Sequence, residues 1–188
     1  MNFELLEKFE WYNDPENVRF EQDGGMVIFA KKGGDFWQSV HRGFKKDDGH
    51  FFFCRENGDF SLTLKWNFER LEKFSQCGIM LRIDERNWFK ASLMNENADE
   101  NVLASSLSVG GHSDWSGFSL NKPVEEIWFK LSRVGDDYVF FYSLDGIKFV
   151  KQRMFYLKSY EEVKAGAYIA SPNQGDFCAE LSHLRLDV

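Results

Sequence analysis

The sequence predicts an all-β fold, a sandwich or barrel of antiparallel strands, on three observations. Short runs rich in β-branched and aromatic residues recur along the chain, bounded by Gly, Asp or Asn. Several of these runs alternate apolar and polar side chains with period two. Helical periodicity is confined to Phe3 to Trp11, room for two turns.

Taken in order, the strand-like runs begin with Val27 to Ala30, Phe51 to Cys54 and Phe60 to Trp66, where Leu62, Leu64 and Trp66 alternate with Ser61, Thr63 and Lys65. Ile79 to Ile83, Trp88 to Met94 and Val102 to Val109 follow. Ile127 to Val134 sets Trp128, Lys130 and Ser132 against Phe129, Leu131 and Arg133, and Tyr138 to Leu144, Val163 to Ala170 and Phe177 to Leu186 complete the series. Gly135-Asp136-Asp137 and Asp145-Gly146 lie where tight turns need glycine, so antiparallel hairpins are expected there. Neither a 20–50-residue repeat nor a Pro/Ser/Gly-rich linker interrupts the chain, and residues 1–188 are expected to form one domain.

Composition narrows the function classes. Lys+Arg 23 against Asp+Glu 30 leaves a net charge of −7, which disfavours a nucleic-acid partner. Phe 20, Trp 6 and Tyr 6 supply rings for a substantial core. No apolar run approaches the roughly 18 residues a membrane span needs, so no membrane association is expected. The acid-interrupted start Met1 to Glu10 lacks a secretory pattern, and Cys54, Cys77 and Cys178 are odd in number with apolar or small neighbours. Free, buried thiols in the cytoplasm are the expectation.

Three segments carry candidate site residues. The glycine-bracketed run Gly110 to Gly117 holds His112, Asp114 and Trp115: an imidazole, a carboxylate and a flat indole able to receive a ligand. The competing reading is that Asp114 and the serines close a turn while Trp115 plugs the core. In Arg82 to Ser92, a register pairing residues 82 and 90 would put Arg82, Lys90 and Ser92 on one face, to bind an anionic or hydroxyl-rich ligand or to pair with buried acids, with Trp88 nearby. Alternation in Asp35 to Phe44 would line Trp37, Ser39 and His41 along one surface. His41 and His112 show no metal-ligand spacing, and calcium is not demanded by any cluster of acids, so no metal is expected. G-x-S-x-G, Walker, G-x-G-x-x-G and EF-hand patterns are absent, and no cofactor is expected. Glu96, Asp99 and Glu100, in the polar stretch Asn95 to Asn101, are expected in a solvated loop.

The ordered motifs Asp35-Phe36-Trp37 with Gly43-Phe44, Gln76 to Asp84 leading to Asn87-Trp88-Phe89-Lys90, Ser113 to Ser116, Tyr142 to Gly146 and Gly166 to Pro172 resemble the DUF1349 family, over about residues 11–187. That resemblance implies a jelly-roll sandwich of the concanavalin A-like lectin/glucanase type, with a concave sheet that in many relatives holds sugars. Some members carry a label of regulation of enolase, a pointer to central carbon metabolism. Two positions depart from the family pattern: Lys-x-Gly-x-Glu is here Lys90-Ala91-Ser92-Leu93-Met94, and the Asp before the Gln is Ser75. Losing the carboxylate at Met94 weakens acid/base chemistry.

The leading expectation is therefore a non-catalytic protein binding a carbohydrate or polyol through Trp37, His41, Arg82, Trp88, Lys90, His112, Asp114 and Trp115. A second is a regulatory protein that docks a partner protein. A third is a glycan hydrolase or lyase with Asp114 and His112 as acid and base. The oligomeric state stays open.

Overall fold

The computed structural model describes residues 3–41, 43–69, 73–97, 100–159, 162–173 and 175–188. One helical turn, α1 (Phe3–Leu6), precedes β1 (Glu10–Tyr12), β2 (Val18–Phe20), β3 (Met26–Ala30), β4 (Phe36–Gln38), β5 (Lys45–Asp47), β6 (His50–Glu56), β7 (Phe60–Asn67) and β8 (Gln76–Arg82). Then come β9 (Trp88–Asn97), β10 (Glu100–Val109), β11 (His112–Ser113), β12 (Ser116–Ser119), β13 (Glu126–Val134), β14 (Asp137–Ser143), β15 (Val150–Tyr156), β16 (Val163–Ala170) and β17 (Phe177–Asp187). An eight-stranded sheet runs β1-β6-β16-β8-β9-β10-β11, with β12 also on β10, and a seven-stranded sheet runs β15-β14-β13-β7-β17-β3-β2. All pairings within both sheets are antiparallel, and the architecture is a jelly-roll β-sandwich.

The helix stops after one turn instead of the expected two. Phe9 and Trp11 stand two residues apart, and both rings pack on Phe52, at centroid distances of 5.1 and 4.8 Å, which requires extended backbone. Burial outweighs the local helical pattern.

Period-two alternation in β7 and β13 sends Leu62, Leu64, Trp66, Ile127, Phe129 and Leu131 inward, all fully buried. From the facing sheet Ile79, Leu81, Phe89, Leu93 and Leu103 complete the core, each contributing about 1.5–3 kcal/mol by leaving water. The Trp66 indole N–H is satisfied by the Gly78 carbonyl at 2.9 Å. A Cβ on Gly78 would lie 1.9 Å from the Ala91 oxygen, and one on Gly166 1.9 Å from the Phe52 oxygen, so the strands approach closely only because both residues are glycine.

The cysteine expectation holds for Cys54 and Cys77, which are free and buried; burial pushes the Cys54 thiol up to about 12 and the Cys77 thiol further. Cys178 departs from it and is exposed, because its neighbours Phe177 and Ala179 take the inward positions of β17. No helix among the described residues is long and apolar enough to cross a membrane.

Strands β4 and β5 belong to neither sheet and pair only with each other. They form a strap across the outer face of the eight-stranded sheet. Beneath it Phe36, Phe51, Phe53, Met80, Trp88, Tyr168 and Ala170 make a second, smaller apolar core.

Candidate functional site

Two charged residues from the strap seal it to the sheet. Asp47 on β5 takes both arms of Arg82, at 2.6 and 2.8 Å, and accepts the Tyr12 hydroxyl at 2.6 Å. The Arg82 guanidinium lies 4.4 Å from the Tyr12 ring centroid, a cation–π contact added to the bidentate pair. Burial, and then the hydrogen bond to Asp47, push the Tyr12 phenol above its ordinary value.

Asp35, just before β4, takes the Lys90 ammonium at 2.9 Å, and Gln76 Oε1 accepts from the same ammonium at 3.1 Å. Tyr168 donates to Gln76 Oε1 at 3.0 Å; burial holds its phenol far above the ordinary value, so it remains a donor. The rings of Trp37, Trp88 and Tyr168 stand 5.6–5.9 Å from Lys90 Nζ. These bonds stabilise a charge pair that would be costly if either member were alone.

Beside the strap lies an open cleft of about 500 Å³. Its floor is the outer face of β8, β9 and β10, with Gln76, Lys90, Ser92, Met94, Ala104 and Ser106. One wall is Trp37, Val40, His41 and Phe44, from β4 and the turn that follows it; Trp115 closes another, and Phe74 and Pro172 one end. Trp37 stacks on Phe44 at 6.1 Å and donates its indole N–H to the Val40 carbonyl at 3.2 Å, which holds the ring upright in the wall. Trp115 rests against Gly117, where a Cβ would come within 2.7 Å of the indole.

The turn departs from the expected strand alternation. β4 ends at Gln38, and Ser39 (φ 61°), His41 (φ 65°) and Gly43 (φ 71°) are left-handed, closed by Gly43 N–H to Ser39 O at 3.1 Å. Left-handed non-glycine residues are strained, and a third, Phe74 (φ 64°), also lines the cleft.

Of the residues singled out from sequence, Trp37, His41, Lys90 and Trp115 come together at this cleft, Lys90 only as part of its buried floor. Arg82 and Trp88 lie beneath the strap, 3% and 0% exposed, and do not line it. The register pairs Arg82 with Trp88 and Met80 with Lys90, rather than residue 82 with 90; the face is shared because the shift is even.

His112 and Asp114 lie outside the cleft lining. His112 is exposed on β11, and Asp114 accepts the Leu107 amide at 2.7 Å and pairs with Arg153 of β15, a structural tie between the sheets. The described part of the polar stretch expected as a loop is strand: Glu96 lies in β9 and Glu100 in β10, and the side chains of Asn95 and Asn101 bond at 2.8 Å. Asp99 lies outside the described residues. Glu96 points to the same side as Lys90, Ser92 and Met94 and lines the cleft. Among the described residues no group of three or more His, Cys, Asp or Glu side chains is arranged to hold a metal.

Sequence reasoning passed over Asp35, Phe44, Gln76 and Glu96. The first three stood in motifs that carried the family resemblance, without a role of their own.

Residues 11–188 match the family described as protein of unknown function (DUF1349). The chain belongs to that family. Regulation of enolase protein 1 of Saccharomyces cerevisiae is 29% identical over 127 residues, which are 68% of this chain and 63% of that protein; the DUF1349 chain thus spans under two thirds of that relative's length. A crystal structure of a functionally unknown protein from Saccharomyces cerevisiae superposes with a TM-score of 0.89 at 24% identity, covering 97% of each chain. The GH43 protein BlXynB from Bacillus licheniformis gives 0.74 at 14% identity over 95% of this chain and 36% of that one. The alginate lyase from Klebsiella pneumoniae gives 0.59 at 11%, over 94% and 85%. These structural likenesses show that the DUF1349 chain shares its sandwich with glycoside hydrolase and lyase structures.

Proposed function

We propose that this DUF1349 protein binds a carbohydrate or similar polyol in the cleft beside the strap, without transforming it. The observation that supports the reading is the cleft itself: two tryptophans on separate elements, Trp37 and Trp115, border an open volume of about 500 Å³ above a partly polar floor. Indole faces pack against sugar C–H surfaces, and serine, imidazole and carboxylate groups take hydroxyls. A binding role without chemistry agrees with the acids at the cleft: Asp35 is held by Lys90 and by the Phe36 amide, which leaves Glu96 without a second free carboxylate among the described lining residues to form an acid/base pair. Free thiols at Cys54 and Cys77 suit a cytoplasmic setting.

Titration with a panel of neutral oligosaccharides, read by tryptophan fluorescence and calorimetry, tests this. Saturable binding is expected, weakened by about 2 kcal/mol or more in Trp115→Ala, as for a buried aromatic anchor. Absence of any response at millimolar sugar would sink the proposal.

The name of the yeast relative favours a second reading, regulation of a central-carbon enzyme through protein contact. Exposed Trp115, Phe118 and Val109 would then form part of the docking surface. Mixing the purified protein with enolase and finding neither a complex by sedimentation nor a change in enolase rate would remove it.

A further inference from the structure

The cleft is lined by only four ionisable side chains among the described residues: Asp35, His41, Lys90 and Glu96. The one ammonium among those described residues is already engaged. Lys90 Nζ donates to Asp35 at 2.9 Å and to Gln76 at 3.1 Å, sits against three aromatic rings, and leaves the residue 4% exposed. A carboxylate or phosphate that sought Lys90 would come up against Asp35, and two anions sharing one cation in a partly dry site repel.

Glu96 differs from Asp35 in having no ion pair or hydrogen bond among the described residues. It stands on β9, two positions past Met94 on the same face, half-buried at the cleft lining. An unneutralised carboxylate there accepts hydroxyl donors through charge-assisted bonds and opposes anions. Trp37, Phe44 and Trp115 add apolar faces and no formal charge.

From this inventory we infer that the cleft selects an uncharged glycan over one bearing carboxylate or phosphate groups, with Glu96 as the discriminating residue. The inference rests on the sugar-binding role proposed above and adds the charge class of the ligand.

The test uses cello- and manno-oligosaccharides beside their C6-oxidised counterparts of equal length, in which each CH₂OH has become a carboxylate. Binding is read by calorimetry at a single fixed pH for both sets. At low salt the neutral forms are expected to bind about tenfold tighter or more, with the gap shrinking at high salt and in Glu96→Gln. Oxidised forms that bind as tightly as the neutral ones would overturn the charge selection, and a gap unchanged in Glu96→Gln would overturn Glu96 as the discriminating residue; either result leaves sugar binding standing. Failure of every oligosaccharide to bind at millimolar concentration would overturn the sugar site and this inference together.

Discussion

Replacing Lys90 with Met removes the cation beneath the strap while keeping most of the side chain's volume. Asp35, 7% exposed, would then keep only the Phe36 amide at 2.7 Å and the Gln76 amide at 3.5 Å, without its counter-charge. Breaking a buried pair by deleting one partner costs about 3–5 kcal/mol, because the remaining charge is stranded. At about 2–4 °C per kcal/mol for a chain of this size, the midpoint should fall by about 6–20 °C. Asp35→Asn with Lys90→Met removes both charges, and the double variant should be more stable than the sum of the two single losses predicts. Urea unfolding of the wild type, both single variants and the double variant completes the cycle. A Lys90→Met protein within about 1 kcal/mol of wild type, or strictly additive losses, would refute the strap as an ion-paired seal.

Two further predictions concern the frame. Gly78→Ala puts a methyl 1.9 Å from the Ala91 oxygen and should cost about 1–3 kcal/mol or more in chemical denaturation, whereas Gly58→Ala, where a Cβ meets nothing within 4 Å, should stay within about 0.5 kcal/mol. Burial beside Trp128, and then the nearby Arg185 and Lys65 charges, lower the affinity of His183 for a proton below the ordinary 6.5. The unfolded chain therefore takes up the proton first, so stability falls as pH drops from about 6.5 through the folded value. His183→Gln should flatten that part of a stability–pH profile, and an unchanged slope would assign it to other groups.

Much of the sandwich was legible because alternation is a local property. Leu62, Leu64 and Trp66 announce their inward face within seven residues, and Gly135 and Gly146 mark their turns with left-handed φ of 61° and 70°. β15 escaped notice because its run Lys151-Gln152-Arg153 is polar, the mark of an edge strand with its face in water.

The site was legible only in pieces. Arg82 and Lys90 were recognised as two cations on one face, yet their partners Asp47 and Asp35 come from 35 and 55 residues away, on a strap whose path over the sheet leaves no trace in local pattern. The same strap buries Trp88 and leaves Trp37 at the cleft. Ser39 and His41 broke the expected alternation because a left-handed turn replaced strand, a choice set by closure of the hairpin rather than by either residue's preference.

The most direct test of the sugar cleft is a crystal structure of the protein soaked in a mixture of neutral oligosaccharides. The account predicts density between Trp37 and Trp115, over Ser92 and within reach of Glu96, with the strap in place. An empty cleft with density elsewhere, beside His112 or along β15, would contradict it.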